Sequence, residues 1–396
     1  MHNLTKIKLF RIACWITYFP SLLFIYPFAR SKKKNPSGLF FFFDRYSIGG
    51  AQRVHLDILE SVQDIPKQVY FTRKSNDQSL KEAFFSTPNT ISKDIHFWCD
   101  NILFRLFAVH FYSFYINKHK HAKVLSSNST FFYDLLPFID NKVVTIELLH
   151  NFTFGKKGME FFGLANHCHL NYRLTIDANT LNNIHKQYEL YKISPTYMNR
   201  VLLFEPGVKV PEKITKDYSY PLKVLYAGRG GTQKRIHLLN RIAEHCLQLK
   251  IPVQFHFAGT AIEELSDTVQ QNSMLYGNIS SVEKMSELYQ QNHAILMTSA
   301  YEGFPMLIKE SMAYGCVPIV TALEGNKLHL KDGMNALLID SVENEEQVVS
   351  EGIEKIRCLV DNPHLLKTLS AQAHDYALKH FDKDTFLQSY RKLLVT

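Results

Sequence analysis

Cysteine is scarce: six in 396 residues, at positions 14, 99, 168, 246, 316 and 358, with no C-x-x-C pair. Scattered thiols exclude a disulfide framework and fit free thiols in a reducing compartment. His167-Cys168-His169 does not make a metal site. Adjacent residues on a regular element point in different directions, and no second ligand cluster has zinc spacing. Two phosphate motifs are missing. There is no G-x4-G-K-[ST], and a dinucleotide fingerprint starting at Gly228 would need glycine where the chain has Gln233. The missing fingerprint disfavours a nicotinamide-dependent oxidoreductase. Nothing interleaves aromatic and basic residues as nucleic-acid modules do, so nucleic acid is set aside as a partner. Residues 12–29 form an apolar run of 18 residues, broken in polarity only by Thr17 and Ser21. That is short of the roughly 20 apolar residues of a spanning helix, and Pro20 and Pro27 would kink it.

What is present is a chain long enough for two or three domains of about 100–200 residues each. It is 46% hydrophobic, with 29 Phe and 20 Tyr, so it can bury sizeable cores. Its net charge of +8 fits either a plain solvated surface or attraction to anionic ligands or lipid. Residues 1–36 read as an extension ahead of the first domain. Lys6, Lys8 and Arg11 precede the apolar run, and Arg30, Lys32, Lys33 and Lys34 follow it. Membrane attachment is the first expectation, either as a spanning helix or as a helix in the interface. In the interface, Trp15, Tyr18 and Tyr26 would lie at headgroup level and the lysines on anionic lipid. A cleaved signal peptide is a second reading, though no small-x-small cleavage site follows. A helix packed on the protein is a third.

The remainder alternates strands and helices. Residues 39–44, 68–72, 123–126, 142–149 and 173–176 read as strands of a first α/β domain, and His150 ends the fourth of these runs. Ser47-Ile48-Gly49-Gly50-Ala51-Gln52-Arg53 is a strand-to-helix turn. Its helix places Val54, Ile58 and Val62 on one face. Residues 211–221, polar and flanked by prolines, read as the linker. A second domain follows, with strands at 222–227, 253–258, 274–276, 294–297 and 316–321. After the first of these comes Gly228-Arg229-Gly230-Gly231-Thr232-Gln233-Lys234. Arg229 and Lys234, on a glycine-rich turn before a helix, suit a diphosphate.

The densest stretch is 299–310, Ser-Ala-Tyr-Glu-Gly-Phe-Pro-Met-Leu-Ile-Lys-Glu. A strand leads into a Gly/Pro turn, Pro305 falls near the first helical position, and Gly315 is the expected C′ residue. Glu302 and Glu310 therefore sit at the carboxyl end of a strand, where open α/β sheets bind ligands. A carboxylate can accept two hydrogen bonds from a vicinal diol. Gly303 permits close backbone approach, and the helix N-terminus offers free N–H groups. Asp382 and Asp384 spell D-x-D at a helix start, which reads as capping.

The block from Tyr301 to Gly315 resembles the E-G-F-P-x4-E-x2-A-x-G signature of the family 4 retaining glycosyltransferases of the GT-B fold. Arg229 and Lys234 match the family's G-R-x4-K. Gly49-Gly50-Ala51-Gln52-Arg53 is similar to its G-G-A/V-E/Q-R. The resemblance implies an α/β fold of two Rossmann-like domains facing across a cleft. The expected domains are residues 37–212 on the acceptor side and 213–380 binding the nucleotide sugar, with a helix over 381–396 crossing back. It implies a sugar transferred with retention from a nucleotide-diphosphate sugar to a glycan or lipid-linked acceptor in bacterial cell-envelope polysaccharide or lipopolysaccharide synthesis, at the cytoplasmic face of the membrane and without a metal. Glu310 would hold the ribose, and Arg229 and Lys234 the departing diphosphate. Glu302, with Gly303, Phe304, Pro305, Met306 and Leu307, would hold the donor sugar. Gly277 would lie in the base pocket, and His150 and Gly50 by the reacting centre. In the loop after 316–321, Gly325 alone remains where the family usually has Gly-Gly. A sugar-nucleotide epimerase of the same fold and a catalytically silent, membrane-bound partner subunit are the alternatives.

Overall fold

The computed structural model describes residues 2–47, 49–153, 158–259, 262–279 and 281–396, with backbone only for 2–7 and 262. Ile48 of the glycine turn and the side chain of Lys6 lie outside the described residues. The chain divides into two compact units. One is Met1–Glu205 with Phe386–Thr396, the other Pro206–Thr385. This division falls ahead of the 212/213 boundary read from the linker. Residues 206–221 belong to the second unit, where Val208 bridges Asp382.

The first unit holds a seven-stranded parallel sheet in the order β3-β2-β1-β4-β5-β6-β7. Its strands are β1 Leu39–Phe43, β2 Lys67–Phe71, β3 Thr90–Asp94, β4 Lys123–Ser127, β5 Val144–Leu149, β6 Tyr172–Thr175 and β7 Val201–Leu203. β1 shows why the sheet is central. Side chains alternate along a strand. Phe40 and Phe42 therefore enter one apolar core, and Leu39, Phe41 and Phe43 the other. Each buried phenylalanine contributes about 1.5–3 kcal/mol. β3, Thr-Ile-Ser-Lys-Asp, is an exposed edge strand whose polar sequence carries no strand pattern.

The amino-terminal residues form helices His2–Phe24 and Tyr26–Ser31. Pro20 lies inside the first, while Pro27 opens the second, where a missing N–H costs nothing. Both helices pack on the helix Ile102–Asn117. Cys14 and Ala29 are buried there, and Thr17 Oγ1 meets His110 Nε2 at 2.9 Å. Among the described residues no helix is long and apolar enough to cross a membrane.

The second unit has a six-stranded parallel sheet in the order β10-β9-β8-β11-β12-β13. Its strands are β8 Leu222–Ala227, β9 Val253–Ala258, β10 Ser273–Gly277, β11 Ala294–Met297, β12 Val317–Thr321 and β13 Leu337–Ile339. In each unit the chain runs outward for three strands and then returns to the far side of the first. The strand order therefore reverses between β1 and β4, and again between β8 and β11. These reversals open the crevices where doubly wound sheets take ligands.

Candidate active site

The reversal in the second unit is flanked by the two stretches richest in candidate residues. The glycine-rich loop 228–235 follows β8, and the turn 298–305 follows β11. Gln233, the residue that breaks the dinucleotide fingerprint, joins the two. Its carbonyl accepts from Ala300 N (2.9 Å), and its side-chain amide donates to Tyr301 O (3.0 Å). One residue on, Lys234 Nζ pairs with Glu302 Oε1. The expected diphosphate base and the expected sugar-binding carboxylate are therefore in contact.

Arg235 completes the connection and carries no role in the sequence motif. It sits in the left-handed region (φ 50°), and its guanidinium donates to Thr298 O (2.6 Å), Ser299 O (3.2 Å) and Val342 O (2.6 Å). The fork fixes the carbonyls at the end of β11 and the start of the turn. Only its place beside Lys234 hints at this in the sequence.

Glu310 lies in helix Met306–Ala313, which Pro305 precedes in extended conformation (φ −63°, ψ 135°). Tyr289 Oη donates to Glu310 Oε2 at 2.8 Å, so a residue of helix Val282–Gln291 orients the second glutamate. That partner has no signature in the sequence. Lys309, beside it, is turned inward, where its ammonium donates to Pro206 O (3.0 Å) and lies 5.0 Å from the Phe381 ring centre. Gly315 has φ +68°, the left-handed end the sequence requires of a C′ residue.

Two glycines are set by close approach. A Cβ on Gly325 would lie 1.8 Å from Gly303 O, so the loop after β12 presses against the turn carrying Glu302. On Gly230 it would lie 1.6 Å from Glu264 Oε1. Glu264 Oε2 also accepts from Gly231 N at 3.0 Å, so a loop amide suited to a phosphate oxygen is bonded to a carboxylate here. Arg229 is exposed, and its carbonyl accepts from Tyr226 Oη at 2.9 Å. Gly277 ends edge strand β10 with φ +62°, and its carbonyl accepts from Gly259 N at 2.7 Å.

Gly50 and His150 belong to the first unit. Gly50 opens the helix Gly50–Glu60 directly after β1, and a Cβ there would meet no described atom within 4 Å. His150 follows β5, is buried, and pairs Nε2 to Nε2 with His55 at 3.0 Å. Burial pushes the His150 imidazole down to about 4. Burial, and then the neighbouring His150, hold His55 well below the ordinary histidine range. The His55 ring lies flat on Phe43, 4.0 Å between centroids. Asp382 accepts from Thr385 N and Oγ1 (both 3.1 Å), a helix cap.

No curated protein matches the sequence. Residues 212–375 match the family model of the glycosyl transferases group 1. Among solved structures the chain is similar to HepE of Anabaena in complex with UDP, with a TM-score of 0.69 and 12% identity over 90% of this chain and 99% of that one. A glycosyltransferase from Rickettsia africae gives 0.68 and 14%, covering 92% and 98%. The lipopolysaccharide outer core galactosyltransferase WaaB gives 0.64 and 18%, covering 89% and 98%. The chain thus has two parallel-sheet α/β domains of the GT-B kind, and its second unit carries the match to the group 1 glycosyl transferases.

Proposed function

We propose that this protein is a retaining glycosyltransferase that moves a sugar from a nucleotide-diphosphate sugar to a glycan or lipid-linked acceptor in bacterial cell-envelope polysaccharide or lipopolysaccharide synthesis. The observation that carries the proposal is the Lys234–Glu302 pair at the strand reversal, with Tyr289-oriented Glu310 on the helix that follows. Glu310 accepts the two hydroxyls of the ribose. The diphosphate takes Lys234 as its partner and releases Glu302 to the hydroxyls of the donor sugar, beside the turn backbone. Arg229 and Lys234 stabilise the charge that develops on the leaving diphosphate, where fixed cations act most strongly. Two cations already meeting that group leave no requirement for a metal. The similarity to structures solved with UDP, and to a lipopolysaccharide galactosyltransferase, supports UDP as the first nucleotide to try and an envelope glycan as acceptor.

The test is thermal shift of the full chain with UDP, GDP, ADP and CMP. One diphosphate should raise the melting temperature of the wild type. Glu310→Ala and Lys234→Ala should each lose that rise. Variants that respond like wild type, or a protein that responds to no nucleotide, would overturn the assignment in favour of a silent partner subunit.

A further inference from the structure

Helix His2–Phe24 carries apolar residues on its outward side as well as on the side packed against the protein. Its inward side holds Phe10, Cys14, Thr17, Tyr18 and Ser21. Its outward side holds Leu9, Ile12, Ile16, Phe19 and Leu23, spaced i, i+3, i+7, i+10 and i+14, with Ile16 69%, Phe19 73% and Leu23 74% exposed. A surface helix normally shows polar residues on that side. The apolar surface continues onto a second stretch distant in sequence. Pro20 and Phe24 share a groove with Leu103 and Phe107. From there ring contacts run from Phe97 through Phe104, Trp98, Phe107 and Phe111 to Phe28. Leu103 is 72% exposed. Scattered apolar residues are ordinary, but a contiguous patch of this kind marks an interaction site.

The charge around it selects the partner. Residues 1–43 hold seven Lys and Arg and no Asp or Glu. Lys8, Arg30, Lys32, Lys33 and Lys34 are exposed, and Lys32 lies 4.1 Å from the Phe28 ring centre. A second copy of the chain, docked face to face, would set these cations against themselves. An anionic bilayer would complement them.

We propose that this composite face, built from helices His2–Phe24 and Tyr26–Ser31 and from residues 97–107, seats the protein in the headgroup–acyl boundary of an anionic membrane without a crossing helix. The outward stripe enters the acyl edge, the aromatic rings lie at headgroup level, and the lysines contact the lipid phosphates. The exposed Asp100 borders the second stretch and sets its limit on that side. The inference refines the membrane-attachment expectation and is independent of the sugar-transfer assignment, because vesicle binding and nucleotide binding are read separately.

The chain has only two tryptophans, Trp15 and Trp98, and each lies on one half of the face, 53% and 40% exposed. Each can therefore report on its own half after Trp→Phe replacement of the other. Added to the full chain, phosphatidylglycerol vesicles should blue-shift both single-tryptophan proteins, and brominated lipid should quench both. Phosphatidylcholine vesicles should bind far less. Each lysine of 32–34 replaced by glutamine should weaken binding about fivefold. Phe19→Glu and Leu103→Glu, both at exposed positions, should abolish co-sedimentation at unchanged melting temperature. Carbonate should release the protein from membranes. A response at Trp15 alone would refute the composite face, and retention through carbonate would refute interfacial seating. A concentration-dependent blue shift without vesicles, with dimers by light scattering, would reassign the face to a second copy.

Discussion

At the scale of single residues, the His55–His150 pair has a defined tautomer. Only one of two neutral imidazoles can donate across the 3.0 Å Nε2–Nε2 contact. His55 Nδ1 is buried with no partner among the described residues. A buried N–H left unpaired is rarer and costlier than an unpaired acceptor. His55 therefore donates from Nε2, and His150 keeps its proton on Nδ1. The same burial fixes a pH dependence. In the unfolded chain each histidine gains its proton near pH 6.5, whereas folded His150 resists until about pH 4. Stability is thus intact above pH 6.5 and falls as pH drops toward 4, by about 2 kcal/mol for one such group at pH 5. His110 and His256, also pushed down to about 4 by burial, act in the same direction. The measurement is therefore a difference. His55→Phe, which keeps the stack on Phe43, should flatten the loss of melting temperature between pH 6.5 and 4.5 relative to wild type. An unchanged slope would remove His55 from the account.

At the scale of elements, the turn after β11 is held from two sides, by Gln233 and Arg235 of the glycine-rich loop and by Gly325 of the loop after β12. A methyl group on Gly325 cannot fit 1.8 Å from Gly303 O. Gly325→Ala should push the turn away, cost about 1–3 kcal/mol in stability, and abolish the nucleotide-induced thermal shift. A variant that still responds to nucleotide would show that the turn can give way without harm. This element also shows what could be read from the chain. The strand, Gly/Pro turn and helix of 294–315 were legible because local chemistry dictates each step: an apolar run, Pro305 before the helix, Gly315 after it. The contacts that set the turn were not. Gln233, Arg235, Tyr289 and Gly325 act across distances in sequence that no periodicity records. β3 escaped because an exposed edge strand needs no apolar pattern, and β13, three residues long, is too short to show one. In the first unit, His150 was legible only by its place at a strand end, and its partner His55 lay hidden on the apolar face of a helix.

At the scale of the whole molecule, the last helix, Lys383–Val395, serves both units in turn. Lys383 N donates to Val208 O at 3.1 Å in the second unit, and from Phe386 onward the helix belongs to the first. There Phe386, Tyr390 and Leu394 close the core that also holds Phe41 and Phe43. Tyr390 is fully buried, and its ring packs 5.1 Å from Phe204 and 4.8 Å from Phe386. Truncating a buried aromatic ring costs about 3–5 kcal/mol. Both tryptophans lie in the first unit, so fluorescence follows that unit while far-ultraviolet circular dichroism follows both. Tyr390→Ala should therefore lower the urea midpoint seen by fluorescence by about 1–5 M, taking a slope of 1–3 kcal/mol per molar. The dichroism should separate into two steps, the later one still raised by the nucleotide that the proposed function assigns to the second unit. If fluorescence and dichroism instead move together as one transition, the helix that closes the first core also couples the two units into a single cooperative fold. Loss of eleven residues at the end of the chain would then unfold the proposed nucleotide site as well.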